Sequence, residues 1–158
     1  MIGVVIYLED KWNYTQSDRD IDILQMYQET LAAFGVDKLF IIDKTTNGIV
    51  HRTFRLDLPQ VIYKSLSEIL SEYPNHIKIY FEHKNAIPNN IEYISLSNLI
   101  HPEIDVLYVF GGDEGGIRFN DIQMGINDKI VMIDSPDFIL WSIVAIAITM
   151  YDRKMKLI

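Results

Sequence analysis

Apolar positions along this chain follow two rhythms. Near-continuous apolar runs fill residues 2–8, 106–110 and 130–133, and 38–42 after its opening Lys38, the pattern of strands covered on both faces. Between them, apolar residues recur every three or four positions. Leu24, Tyr27, Leu31 and Phe34 make one helical stripe, with Ser17 or Asp18 as its cap and Gly35 as its left-handed stop. Leu58, Ile62, Leu66, Ile69, Leu70 and Tyr73 make another, with Asp57 and Pro59 at its start and Pro74 and Asn75 beyond its end. Ile77, Ile79 and Phe81 alternate with polar neighbours and predict a strand. Residues 91–96 fit a short edge strand or a turn of helix. Residues 120–124 predict one or two helical turns, and residues 51–55 fit neither rhythm. Ser135 and Pro136 open a last helix that is apolar on nearly every side.

Strands and helices that alternate over the whole length predict an α/β fold, a mostly parallel sheet with helices on both faces. No repeat, low-complexity tract or linker divides residues 1–158, so one domain is expected. A helix apolar all round needs partners all round. One side can rest on the sheet; the other calls for a second helix or a second subunit.

Composition narrows the chemistry. The chain has no cysteine, which removes disulfides, thiolate metal sites and cysteine nucleophiles. The four histidines, His51, His76, His83 and His101, lack metal-ligand spacing. No Gly-x-Ser-x-Gly turn supports a serine hydrolase. Residues 1–10 run from an apolar strand straight into Glu9 and Asp10, unlike a signal peptide. The longest apolar run, 138–151, is shorter than the roughly 20 residues a bilayer span needs, so a cytoplasmic protein without a membrane segment is expected. Net charge is −8, from 14 basic and 22 acidic residues, and repels phosphate backbones at long range. RNA contact would need a local basic patch: His51, Arg52 and Arg55, or Arg153, Lys154 and Lys156. Solvated loop and terminus is the preferred reading of both groups.

The sharpest chemical signal follows the strand at 106–110. Gly111, Gly112, Gly115 and Gly116 surround Asp113 and Glu114. Glycines this dense let the main chain bend sharply and approach a ligand, or they serve only the backbone of a tight connection. Ligands of open α/β sheets bind beyond the carboxyl ends of strands, where this loop falls. It lacks the Lys-Ser or Lys-Thr of a Walker loop and the spacing of a dinucleotide fingerprint. Its acids disfavour phosphate and favour a ligand with a cationic or amino group. Gly111-Gly112-Asp113-Glu114 also spells most of the diguanylate cyclase signature. Gly115 replaces the expected phenylalanine, however, and the upstream Asp-x-Asp-x-Phe-Lys segment is absent.

Three ordered segments resemble the SPOUT superfamily of RNA methyltransferases. They are VVIYLED with LAAFGVDKLFIID, then VFGGDEGGI, similar to that family's Gly-Asn-Glu-Gly-x-Gly loop, then VMIDSP with IVAIAITMY. The resemblance implies a deep C-terminal trefoil knot over about 105–158 and a homodimer joined through the first and last helices. It implies S-adenosylmethionine as cofactor and tRNA or rRNA as substrate. The cofactor positions would be Phe110, Gly111, Gly112, Gly115, Gly116, Ile133 and Ser135.

The resemblance breaks at the family's working residues. Its helical arginine, six positions before the Gly of the Phe-Gly pair, falls on Glu29. The Ser and Asn of its Ser-Leu-Asn turn fall on Ile139 and Trp141. Glu114 keeps the family identity, to orient the acceptor or to anchor the loop through backbone amides. Glu114 and Glu29 are therefore the candidate catalytic groups, Glu29 as a base or as plain surface charge. The alternative to an enzyme is a dimeric knot-fold scaffold that has lost catalysis.

Overall fold

A computed structural model of the chain describes residues 1–9, 23–44, 58–112, 115–134 and 140–158. Seven parallel strands form one sheet in the order β3-β2-β1-β6-β4-β7-β5. They are β1 (Ile2–Leu8), β2 (Lys38–Asp43), β3 (Gln60–Tyr63), β4 (Ile77–Phe81), β5 (Ile94–Ser95), β6 (Val106–Phe110) and β7 (Lys129–Met132). Among the described residues three α-helices accompany them: α1 (Ile23–Ala33), α2 (Leu66–Glu72) and α3 (Ser142–Lys156). The apolar runs of β1 and β6 lie side by side at the centre, with Val4 opposite Tyr108, and both faces of each are covered.

The alternation of a strand splits the core in two. On one face Val4, Ile6, Leu8, Leu39, Ile41 and Tyr108 pack under Leu24, Tyr27 and Leu31 of α1 and Ile146 and Met150 of α3. On the other, Val5, Phe40, Ile42, Tyr80 and Val109 pack with Ile69 of α2 and with Ile117 and Phe119. The α1 stripe is buried as its spacing predicts, and Gly35, at φ +69°, closes the helix while Val36 N–H donates to Leu31 O at 3.1 Å.

Several expectations are corrected. Residues 60–63 are not the first turn of a helix but an edge strand beside β2. The sequence Gln-Val-Ile-Tyr is β-prone, and Pro59 precedes the strand where a missing amide costs nothing, its carbonyl accepting Leu39 N–H at 2.9 Å. The helix starts only at Leu66, with Ser65 Oγ accepting Glu68 N–H. The strand predicted at Ile77–Phe81 is β4, flanked by β6 and β7, and its alternating Lys78 and Tyr80 are buried too. Residues 119–121 form a short 3-10 turn, and 94–95 are the edge strand β5. The last helix begins at Ser142 with Trp141 in the N-cap position, not at Pro136. The proposed cap at Ser17 or Asp18, residues 51–55 and Ser135 itself lie outside the described residues.

A chain of polar groups pins α3 to the sheet. His101 is buried, its Nδ1 2.8 Å from the Tyr108 hydroxyl and its Nε2 2.9 Å from Asp152 Oδ2. Only one arrangement satisfies all three groups: Tyr108 donates to Nδ1, and Nε2–H donates to the carboxylate. Lys156 pairs with Asp152 at 2.9 Å and donates to the carbonyls of Leu96, Ser97 and Leu99. Arg153 donates to Pro102 O and Glu103 O. The tail cations that could have formed an RNA patch are thus engaged within the fold, and Lys154 alone of the three has no such bond among the described residues.

Burial holds His101 below the usual imidazole range, against the pull of Asp152. His76 is held low as well, first by burial. For a group whose folded value is depressed, the unfolded chain takes up the proton first. Stability is then complete above about pH 6.5 and falls as pH drops from there toward the folded value. Each group contributes a slope of at most about 1.4 kcal/mol per pH unit. Urea unfolding between pH 7.5 and 5 should show this loss, and His101→Gln should reduce its slope, leaving the part due to His76.

Candidate functional site

From the adjacent central strands β1 and β6 the chain goes on to strands on opposite sides of the sheet. The path from β1 leads toward β2, and the path from β6 leads toward β7. Such divergence opens a crevice where α/β proteins bind ligands. Beside that point, at the ends of β4, β6 and β7, a cleft opens to solvent.

Its floor is aromatic. Phe81 and Phe110 end the adjacent strands β4 and β6, paired in register, and their rings stack with centroids 4.6 Å apart and planes 10° from parallel. Gly111 and Gly112 form one wall and Ile133 another. Leu140 and the first turn of α3, through Ser142 and Ala145, close the far side. Ser142 Oγ donates to Gly111 O at 3.3 Å, tying α3 to the glycine loop.

The loop is a miniature hairpin. Gly116 N–H donates to Gly112 O at 3.0 Å, and the two residues form an antiparallel bridge. Gly116 takes φ +58°, a conformation side chains rarely adopt. Three of its glycines are there for carboxylates of the protein itself. A Cβ at Gly116 would lie 2.7 Å from Glu82 Oε2, and one at Gly111 2.8 Å from the same atom. A Cβ at Gly112 would collide with Oε1 of the buried Glu9. Gly115 has open space where its side chain would be.

Glu82 is the clamp between two loops. Its Oε1 accepts the N–H of His83 at 2.9 Å, and its Oε2 accepts the N–H of Ile117 at 2.8 Å, just past the hairpin. Burial, then the charge of Glu82, push the neighbouring Tyr7 hydroxyl up to about 12, so it stays a neutral phenol. His83 also faces the cleft. Its Nδ1 accepts Asn85 N–H at 3.2 Å, while its Nε2 is buried with no hydrogen-bond partner among the described residues.

Of the positions assigned from sequence, Phe110, Gly111, Gly112 and Ile133 line this one cleft. Gly116 stands behind it against Glu82, and Gly115 is exposed. Glu114 and Ser135 lie outside the described residues. Glu29 is exposed on α1, accepting Gln25 Nε2–H at 2.6 Å, and does not line the cleft. Sequence reasoning missed Glu82 and His83. The available signal was their place, directly after the last residue of a predicted strand.

No family model matches the sequence, and no curated protein matches it. The structure, by contrast, has close counterparts. A protein studied for 2-OH methylation of C/U34 on tRNA superposes with a TM-score of 0.69 at 19% identity, over 99% of this chain and 90% of that one. The A. aeolicus TrmH/SpoU tRNA modifying enzyme superposes with a TM-score of 0.65 at 14% identity, over 98% of this chain and 74% of that one. The fold is that of SpoU/TrmH-type RNA methyltransferases. An AdoMet-bound rRNA methyltransferase from Sinorhizobium meliloti superposes with a TM-score of 0.63 at 10% identity, over 99% of this chain and 56% of that one. Among the described residues, no helix is long and apolar enough to cross a membrane.

Proposed function

We propose that this chain is an S-adenosylmethionine-dependent methyltransferase acting on tRNA or rRNA as a homodimer, with its C-terminal segment knotted as in the SPOUT superfamily. The cleft at the strand ends carries the reading. It joins Phe110, Gly111, Gly112 and Ile133 in one cleft at the strand ends of this fold.

The residues present fit the cofactor. The Phe81 and Phe110 floor suits a flat purine. The backbone of Gly111 and Gly112 is open to a ligand without side chains in the way. Glu82 places a negative charge beside the cleft, which favours a sulfonium cation. When bound, S-adenosylmethionine supplies a methyl carbon to an acceptor oxygen or nitrogen, the sulfur–carbon electron pair returning to sulfur. The chain's own part is to hold the ligand, exclude water and remove the acceptor proton. Glu114 is the residue to orient the acceptor or brace the loop. Glu29 stands away from its own cleft, so it reaches an acceptor as base only if a second copy brings it there.

α3 supports the dimer. Trp141, Val144, Ile148, Tyr151 and Met155 are exposed at spacings of three and four, an apolar seam on the side away from the sheet. Met26 of the adjoining α1 is exposed too.

A second reading, a binding or scaffold protein without catalysis, is favoured by Glu29 at the arginine position and by the engagement of Arg153 and Lys156 within the fold. Methyl-labelled S-adenosylmethionine offered with total tRNA and with rRNA separates the two. The enzyme reading expects ribonuclease-sensitive label in one pool. Cofactor binding with no label in either pool would replace it with the scaffold.

A further inference from the structure

Among the described residues that line the cleft, His83 has a buried ring nitrogen without a hydrogen-bond partner. Its ring is held by a bond that also fixes its chemistry. Because Nδ1 accepts the Asn85 amide hydrogen, the proton of the neutral imidazole is on Nε2. Nε2 is therefore a donor, and it is buried without a partner among the described residues. A buried donor left unpaired is costly, and a ligand that accepts from it removes that cost. The same geometry argues against His83 as a general base, since a free Nε2 lone pair would require breaking the Asn85 bond.

Glu82 narrows what the acceptor is. Its carboxylate follows the same strand and lines the same cleft. A second carboxylate brought beside it, such as that of an amino-acid group, would be repelled. A neutral acceptor, a ribose hydroxyl or a purine ring nitrogen, suffers no such penalty.

We infer that His83 Nε2–H donates to a neutral acceptor on the nucleoside half of the bound ligand and is the side chain that selects a nucleoside in this cleft. The inference rests on the cofactor reading proposed above and names its recognising residue.

The test uses S-adenosylhomocysteine, adenosine and homocysteine as probes. Calorimetry should show His83→Phe binding S-adenosylhomocysteine about tenfold more weakly than wild type, with His83→Gln, which keeps a donor, losing less. Thermal melts of both variants confirm that they fold. In the wild-type protein, the His83 ring nitrogens should report the Nε2–H form by NMR, and Nε2 should shift with S-adenosylhomocysteine and with adenosine. Wild-type binding with His83→Phe unchanged and Nε2 unmoved would overturn the inference alone, as would a shift with homocysteine but not adenosine. No binding of S-adenosylhomocysteine to wild type would overturn the cofactor reading and this inference with it.

Discussion

Phe110→Ala is expected to remove about 3–5 kcal/mol of stability and to abolish ligand binding in the cleft. Phe110 is 2% exposed at the end of the central strand β6, stacked on Phe81, and forms half of the cleft floor. Truncation leaves a void the surrounding strands cannot fill, because β1 and β4 hold their backbone positions on either side of β6. It also removes the stacked pair, worth about 0.5–1.5 kcal/mol beyond its area. A domain of this size has about 5–15 kcal/mol in total, so the variant would be marginal. Phe110→Leu, which keeps most of the volume, should cost about 1.5 kcal/mol and fold. Its affinity for S-adenosylhomocysteine should still fall several-fold, because a leucine cannot stack on a purine. Urea melts and calorimetry read the two effects separately. Full affinity in Phe110→Leu would mean that the floor does not touch the ligand.

The second large effect concerns assembly. Ile148→Glu with Tyr151→Glu places two charges on the exposed seam of α3. In the single chain these positions are 39% and 59% exposed, so the fold should lose less than about 1 kcal/mol. In a dimer joined through this seam, both charges meet their symmetry mates in an apolar contact. Sedimentation should show the wild type at twice the chain mass and the variant at the chain mass, with unchanged melting at low concentration. A wild type that sediments as a monomer would remove the homodimer from the account.

The fold was legible where burial and period agree. The runs that became β1, β2, β6 and β7 are apolar because neighbours cover them on both sides, and no other element fits such runs at that length. The stripe from Leu58 to Tyr73 misled because Val61, Ile62 and Tyr63 fit a helix face and a β-strand equally well. Pairing with β2 decides between them, and that pairing is a long-range fact no local window contains. α3 was legible as doubly apolar, and its two sides proved distinct: Ile146, Thr149 and Met150 against the sheet, Val144, Ile148 and Tyr151 outward.

The site was legible through its backbone and obscure through its side chains. Four glycines announce a sharp loop whatever surrounds them. That Gly111 and Gly116 make room for Glu82, and Gly112 for Glu9, depends on strands that are adjacent in space but distant in sequence. In the sequence His83 is one of four histidines without metal-ligand spacing. Its interest comes only from the Asn85 bond on one nitrogen and the unpaired, buried state of the other.

Calorimetric titration of the wild-type protein with S-adenosylhomocysteine tests the central claim most directly. Saturable binding at one site per chain is expected, with affinity in the micromolar range and lost in Phe110→Ala. No heat at millimolar ligand, from protein whose melt is cooperative, would contradict it.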